Sequence, residues 1–141
     1  MYSFRKSKKG FTLIELMVVV AIIGVLALLG LRLYTGQQQK AKNAIVKANA
    51  GTIQTLIQAE LADTTSSAVY AMLSANPNLF ENSGIHIPDG GAQDRNGVAN
   101  TDIGYVVVTY IDTTPGEEYF EINGNAFITG DVYTTPLTAR K

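Results

Sequence analysis

From Phe11 to Leu31 the chain reads FTLIELMVVVAIIGVLALLGL, twenty-one residues of which one, Glu15, is charged. At 1.5 Å per residue such a run spans about 30 Å as a helix, the thickness of a bilayer's hydrocarbon core. A carboxylate costs about 2.5–3.5 kcal/mol at mid-membrane and less near the edge, so Glu15 demands a physical reason. Arg5, Lys6, Lys8 and Lys9 stand just before the run. The positive-inside bias keeps that end cytoplasmic and sends residues beyond Leu31 across the membrane in a single pass. A secretory signal peptide has a shorter apolar core followed by small residues in an A-x-A-like site. Here Arg32, Leu33 and Tyr34 follow, so the segment is expected to stay in the mature protein.

With 141 residues in all, the part left for a water-exposed globule is small and benefits from packing against a helix or neighbouring subunits. There is no cysteine, which excludes a disulfide frame, a thiolate nucleophile and a thiolate metal site. The net charge of −1 hides an asymmetry: residues 1–10 carry four Lys/Arg and no acid, whereas 63–141 carry three Lys/Arg against ten Asp/Glu. An acidic distal part argues against binding of phosphate backbones, and no direct nucleic-acid site is identified. His86 is the single histidine, so a histidine metal cluster within one chain is excluded and an exposed imidazole is expected. No Ser/His/Asp set, phosphate loop or paired-carboxylate pocket stands out, so neither an enzyme nor a bound cofactor is expected.

Past Arg32 the helical pattern continues with more Ala, Gln and Lys, and no proline occurs before Pro77. Ile45, Ile53, Leu56, Ile57 and Leu61 recur at roughly helical spacing and form an apolar stripe. A helix over about 11–62 follows, divided into an apolar part (11–34) and an amphipathic continuation (35–62). Gly24, Gly30, Gly36 and Gly51 interrupt it, each costing up to about 1 kcal/mol relative to alanine, and mark where it bends or loses hydrogen bonds. The polar stretch from Asp63 to Ser67 ends it. Ser67 is placed to cap a short helix through Val69, Tyr70, Met72 and Leu73 that Asn76-Pro77 stops. Residues 82–102 read as a loop. The period then changes to two, giving strands at 103–111, 118–122 and 126–133, with turns at Asp112–Glu117 and Asn123-Gly124. The fold class is α+β: a long amino-terminal helix whose second half packs on an antiparallel sheet of three to four strands within a 63–141 head.

The stretch KKGFTLIELMVVVAIIG, Lys8 to Gly24, resembles the amino terminus of bacterial type IV pilins and the related pseudopilins. Glycine, phenylalanine and glutamate fall in the family's order beside a basic leader and an apolar helix. The resemblance implies that residues 1–10 are a leader, that prepilin peptidase cuts between Gly10 and Phe11, and that it N-methylates Phe11. It implies the family's lollipop shape, with the apolar helix an anchor in the cytoplasmic membrane and later the core of a helical homo-oligomeric filament. Cleavage creates an ammonium at Phe11, and Glu15 of an adjoining subunit is placed to offset it; a half-made buried pair is strongly unfavourable, so pairing also sets register. Many pilins have a proline where this chain has Arg32, leaving Gly24 and Gly30 as the sites for local melting. Tyr34 matches the family's aromatic, while the family's disulfide-closed carboxy-terminal loop is absent.

The expected function is thus a structural subunit of a type IV pilus, extruded by an assembly platform and ATPase into a surface filament (a fimbrium) serving adhesion, twitching motility or DNA uptake. A pseudopilin of a type II secretion or competence system is the near alternative. A bitopic membrane protein with an extracytoplasmic binding domain is the rival from another class, and it predicts neither leader cleavage nor filament. Asp89, Asp94, Asn96, Asn100 and Asp102 offer oxygen ligands for calcium near several glycines, but their spacing does not fit an EF-hand and a plain solvated loop is the preferred reading. Lys40, Lys42 and Lys47 either meet acids of neighbouring subunits or form a solvated face. The aromatic residues Tyr70, Phe80, Tyr105, Tyr110, Tyr119, Phe120, Phe127 and Tyr133 are expected to pack the core rather than form a conducting stack.

Overall fold

The computed structural model describes residues 10–76, 80, 83–90, 93, 103–127, 133 and 135–141. Helix α1 is Leu13–Asp63, 51 residues without proline. It runs through Gly24, Gly30, Gly36 and Gly51, where an added methyl meets nothing within 4 Å. What these glycines cost the helix is therefore conformational freedom, not contact. The chain divides into two compact units, residues 1–37 and 38–141.

In the first unit every described residue is exposed. In the second, α1 buries Val46, Ala50, Ile53, Ile57 and Leu61, a stripe stepping by four, three, four and four residues. Ile53, Ile57 and Leu61 are stripe positions that periodicity predicts. Ile45 and Leu56, which the same periodicity places in the stripe, are not buried: they are 44% and 40% exposed. Each precedes a buried position by one residue, which turns it about 100° away around the helix, so Val46 and Ala50 take the inward places. Burying each of the larger side chains contributes roughly 1.5–3 kcal/mol.

Helix α2, Ser66–Ala75, adds Val69 and Leu73 to the same core. Its cap is Thr65 rather than Ser67: Thr65 is extended at φ −83° and ψ 156°, and its Oγ1 accepts from Ala68 N at 3.3 Å. Ser67 lies within the first turn, its hydroxyl 3.2 Å from that of Thr65. Asn76 ends the helix, its N–H donating to Met72 O.

Among the described residues the sheet has three antiparallel strands in sequential order: β1 Val106–Ile111, β2 Tyr119–Gly124 and β3 Leu137–Arg140. Its buried face carries Val106 and Val108, then Phe120 and Ile122, then Ala139, and these join the α1 stripe in one cluster. Phe120 lies opposite both Tyr110 and Ala139. Tyr70, on α2, stacks on Tyr110 at 4.7 Å, and Tyr110 tilts against Phe120 at 5.1 Å.

Three strand expectations need correction. Ile103 and Gly104 form a turn, not the start of β1. Gly104 has φ +89°, and a Cβ there would lie 2.9 Å from the Phe127 ring, so both backbone and space require glycine. Asn123 and Gly124 are not a hairpin turn, since they pair with Val107 and Val106. The Asn123 carboxamide is occupied instead: its Oδ1 accepts from Gly124 N and Tyr133 N at 2.9 and 3.2 Å. Among the described residues the third strand is Leu137–Arg140; of the expected strand 126–133, Ala126, Phe127 and Tyr133 lie outside the sheet, and 128–132 lie outside the described residues.

Side-chain amides occupy both edges of the sheet. Gln93, with no exposed surface, donates from Nε2 to Val106 O at 3.1 Å and accepts from Val106 N at 3.2 Å on the β1 edge. On β3, Gln54 donates to Thr138 O at 2.8 Å, and Gln58 both donates to Arg140 O and accepts from Arg140 N at 3.2 Å. These amides take the place a further strand would fill and so blunt edge-to-edge pairing.

Candidate assembly site at the amino-terminal helix

The first unit carries the candidate site. Phe11, Leu13, Ile14, Leu16 and the apolar residues through Tyr34 are all exposed. The helix is long and apolar enough to cross a membrane. A continuous apolar surface of this kind needs cover from lipid or from other protein.

At its start the backbone and one side-chain pair are organised together. Thr12 N and Thr12 Oγ1 each donate to Glu15 Oε2 at 3.0 Å, while Glu15 N donates back to Thr12 Oγ1 at 3.3 Å. Leu16 N donates to Thr12 O at 3.2 Å, closing the first turn. This is a reciprocal capping box, with Thr12 at the N-cap and Glu15 three residues on. The Thr-x-x-Glu spacing marks it in the sequence, yet the charge-based reading of Glu15 passes over Thr12. Gly10 and Phe11 lie just outside the helix and are exposed; residues 1–9 lie outside the described ones. Helix α1 also continues through Arg32, whose carbonyl accepts from Thr35 Oγ1 at 3.1 Å.

The remaining candidates fall in the second unit. Of the oxygen-rich loop, Asp89 is described, and its carboxylate pairs with Lys42 at 2.6 Å; Asp94, Asn96, Asn100 and Asp102 lie outside the described residues. Lys42 also sits 4.8 Å from the Phe127 ring centre and Lys47 5.6 Å from that of Tyr133, so both are engaged within the chain. His86 is exposed, its Nδ1 donating to Gly84 O at 2.8 Å. A cleft of about 240 Å³ between α1 and α2 is lined mainly by Leu56, Ile57, Val69, Met72 and Leu73, with Glu60 and Ser83 its polar members.

Residues 5–31 match the family described as the prokaryotic N-terminal methylation motif. Over 55 residues the chain is 47% identical to fimbrial protein EcpB of Eikenella corrodens, covering 39% of this chain and 35% of that protein. Over 101 residues it is 35% identical to a probable minor fimbrial protein of Dichelobacter nodosus, covering 72% of this chain and 62% of the relative. The type IV major alpha-pilin of Moraxella bovis is 29% identical over 140 residues, with 84% and 88% covered. The chain thus spans between about a third and two thirds of the first two relatives and most of the third. No solved structure matches it with significance. The methylation motif at the amino terminus, the long helix packed on a small antiparallel sheet and the relatives named as a type IV pilin and type IV fimbrial proteins make the chain similar to type IV pilins.

Proposed function

We propose that this chain is a structural subunit of a type IV pilus, made as a membrane-anchored precursor and polymerised into a surface filament through Phe11–Tyr34. The observation that carries this reading is the apolar helix itself, exposed along its whole length and bearing a single carboxylate at its first turn. Lipid covers that surface before assembly and other copies cover it afterwards. Prepilin peptidase cuts between Gly10 and Phe11 and methylates the new amino group, and Glu15 of a neighbouring copy meets the ammonium so formed. Gly24 and Gly30 are where α1 yields when copies crowd around it, because they are the residues of the apolar part with the least intrinsic preference for helix. An assembly platform and its ATPase supply the work of extraction. The second unit forms the exposed head, which performs no catalysis and serves adhesion, twitching motility or DNA uptake.

Deleting the gene and imaging sheared surface material by electron microscopy tests this. Thin filaments that vanish on deletion and return with the restored gene are expected. Filaments unaffected by deletion, with the chain confined to the membrane, overturn the reading in favour of a bitopic protein.

A further inference from the structure

Glu15 does not wait unpartnered in the single chain. Both Thr12 donors converge on one oxygen, Oε2, at 3.0 Å each, and among the described residues Oε1 accepts no hydrogen bond. The Glu15 backbone N–H returns to the Thr12 hydroxyl, which fixes that hydroxyl as acceptor and donor at once. Leader removal leaves this arrangement chemically intact, because Thr12 N remains a peptide N–H joined to Phe11.

We propose that Thr12 is a positioning residue for assembly: it ties down Glu15 Oε2 and leaves Oε1 to take the Phe11 ammonium of a second copy. This rests on the pilus reading above. A glutamate side chain that swings freely must lose its rotamer freedom at the moment of pairing, at the same time as it leaves water or headgroups. Here the capping box orders it beforehand. The box also supplies hydrogen bonds to a carboxylate that sits at the edge of an apolar segment, where an unsatisfied charge is costly. One oxygen holds the helix start and the other holds the neighbour.

The test uses mixed filaments. In cells making the wild-type chain, Thr12→Val, Thr12→Ser, Glu15→Gln and the Thr12→Val/Glu15→Gln double variant are co-expressed singly. Mass spectrometry then gives each variant's share of sheared filaments, normalised to its processed share in the membrane. Thr12→Val is expected to fall about tenfold, the worth of one charge-assisted hydrogen bond. Thr12→Ser, which keeps the hydroxyl, is expected to stay within about twofold of wild type. Against Glu15→Gln, adding Thr12→Val is expected to change the share by less than about twofold, because the residue it acts through is already lost. An equal loss in both backgrounds overturns the proposal, since a plain helix cap would still be needed. So does wild-type incorporation of Thr12→Val, or failure of Thr12→Val to be processed, which would place Thr12 before assembly. Absence of filaments from the wild-type cells defeats the pilus reading instead.

Discussion

Replacing Gln93 by leucine tests how the head is closed. Gln93 has no exposed surface, and its carboxamide makes both hydrogen bonds to the backbone of Val106, itself fully buried. Leucine has nearly the same size but neither donor nor acceptor. Two buried backbone groups then lose their partners at about 2 kcal/mol each, and the added apolar burial returns about 1–2 kcal/mol. A net loss of about 2–3 kcal/mol follows. The chain has no tryptophan and seven tyrosines, five of which (Tyr70, Tyr105, Tyr110, Tyr119 and Tyr133) lie in the second unit, so tyrosine fluorescence reports on the head. Urea unfolding of the full chain in detergent should show a lower midpoint with unchanged slope. Amide exchange at Val106 should accelerate. A loss below about 0.5 kcal/mol, with Val106 still protected, would refute the claim that this amide closes the β1 edge.

Other outcomes follow from the same geometry. Glu15→Leu should leave a processed, membrane-inserted subunit that yields few filaments, scored by electron microscopy; normal yield removes the pairing role. Ile53→Ala should cost about 2–5 kcal/mol, whereas Ile45→Ala, on the exposed side, should stay within about 0.5 kcal/mol, and comparable losses would mean the helix is phased differently. Gly104→Ala should destabilise the head by about 1–3 kcal/mol through its left-handed φ and the crowded Phe127 ring, read as a lowered thermal midpoint. The Gly116 N–H, donating at 3.1 Å, and then Glu118's own N–H hold the Glu118 carboxyl below its ordinary value of 4.5. The stability this gives is complete above that value and lost as pH falls through the lowered folded one. Glu118→Gln should therefore flatten the acid side of the stability profile, and an unchanged profile would remove Glu118 from the account.

The parts of the fold that depend on near neighbours in sequence were legible, and those set by distant partners were not. An apolar run with basic residues before it identifies itself by composition. The α+β class follows from the change of period after Ile103. Phase was harder: Ile45 and Leu56 are the more hydrophobic residues, but packing geometry chose Val46 and Ala50, which lie on the face shared with Ile53 and Ile57. At Asn123-Gly124 a strong local turn signal lost to a ladder with β1 and to the bonds from Asn123 to Tyr133. Leu137–Arg140 gives little strand signal of its own; it is held by pairing with β2 and by Gln54 and Gln58, more than eighty positions away. Gln93 likewise looks like any loop glutamine until Val106 stands beside it. At the assembly site the reverse holds, since Thr12 and Glu15 are three residues apart and their capping box can be read directly from the letters.

The central claim is that one helix serves first in lipid and then inside a filament, with the leader removed between the two. Mass spectrometry of the chain's amino terminus in sheared surface filaments tests it most directly. A chain beginning at N-methylated Phe11 is the result expected. Filaments that lack this chain, or a chain that keeps Met1 and stays in the membrane, would contradict it.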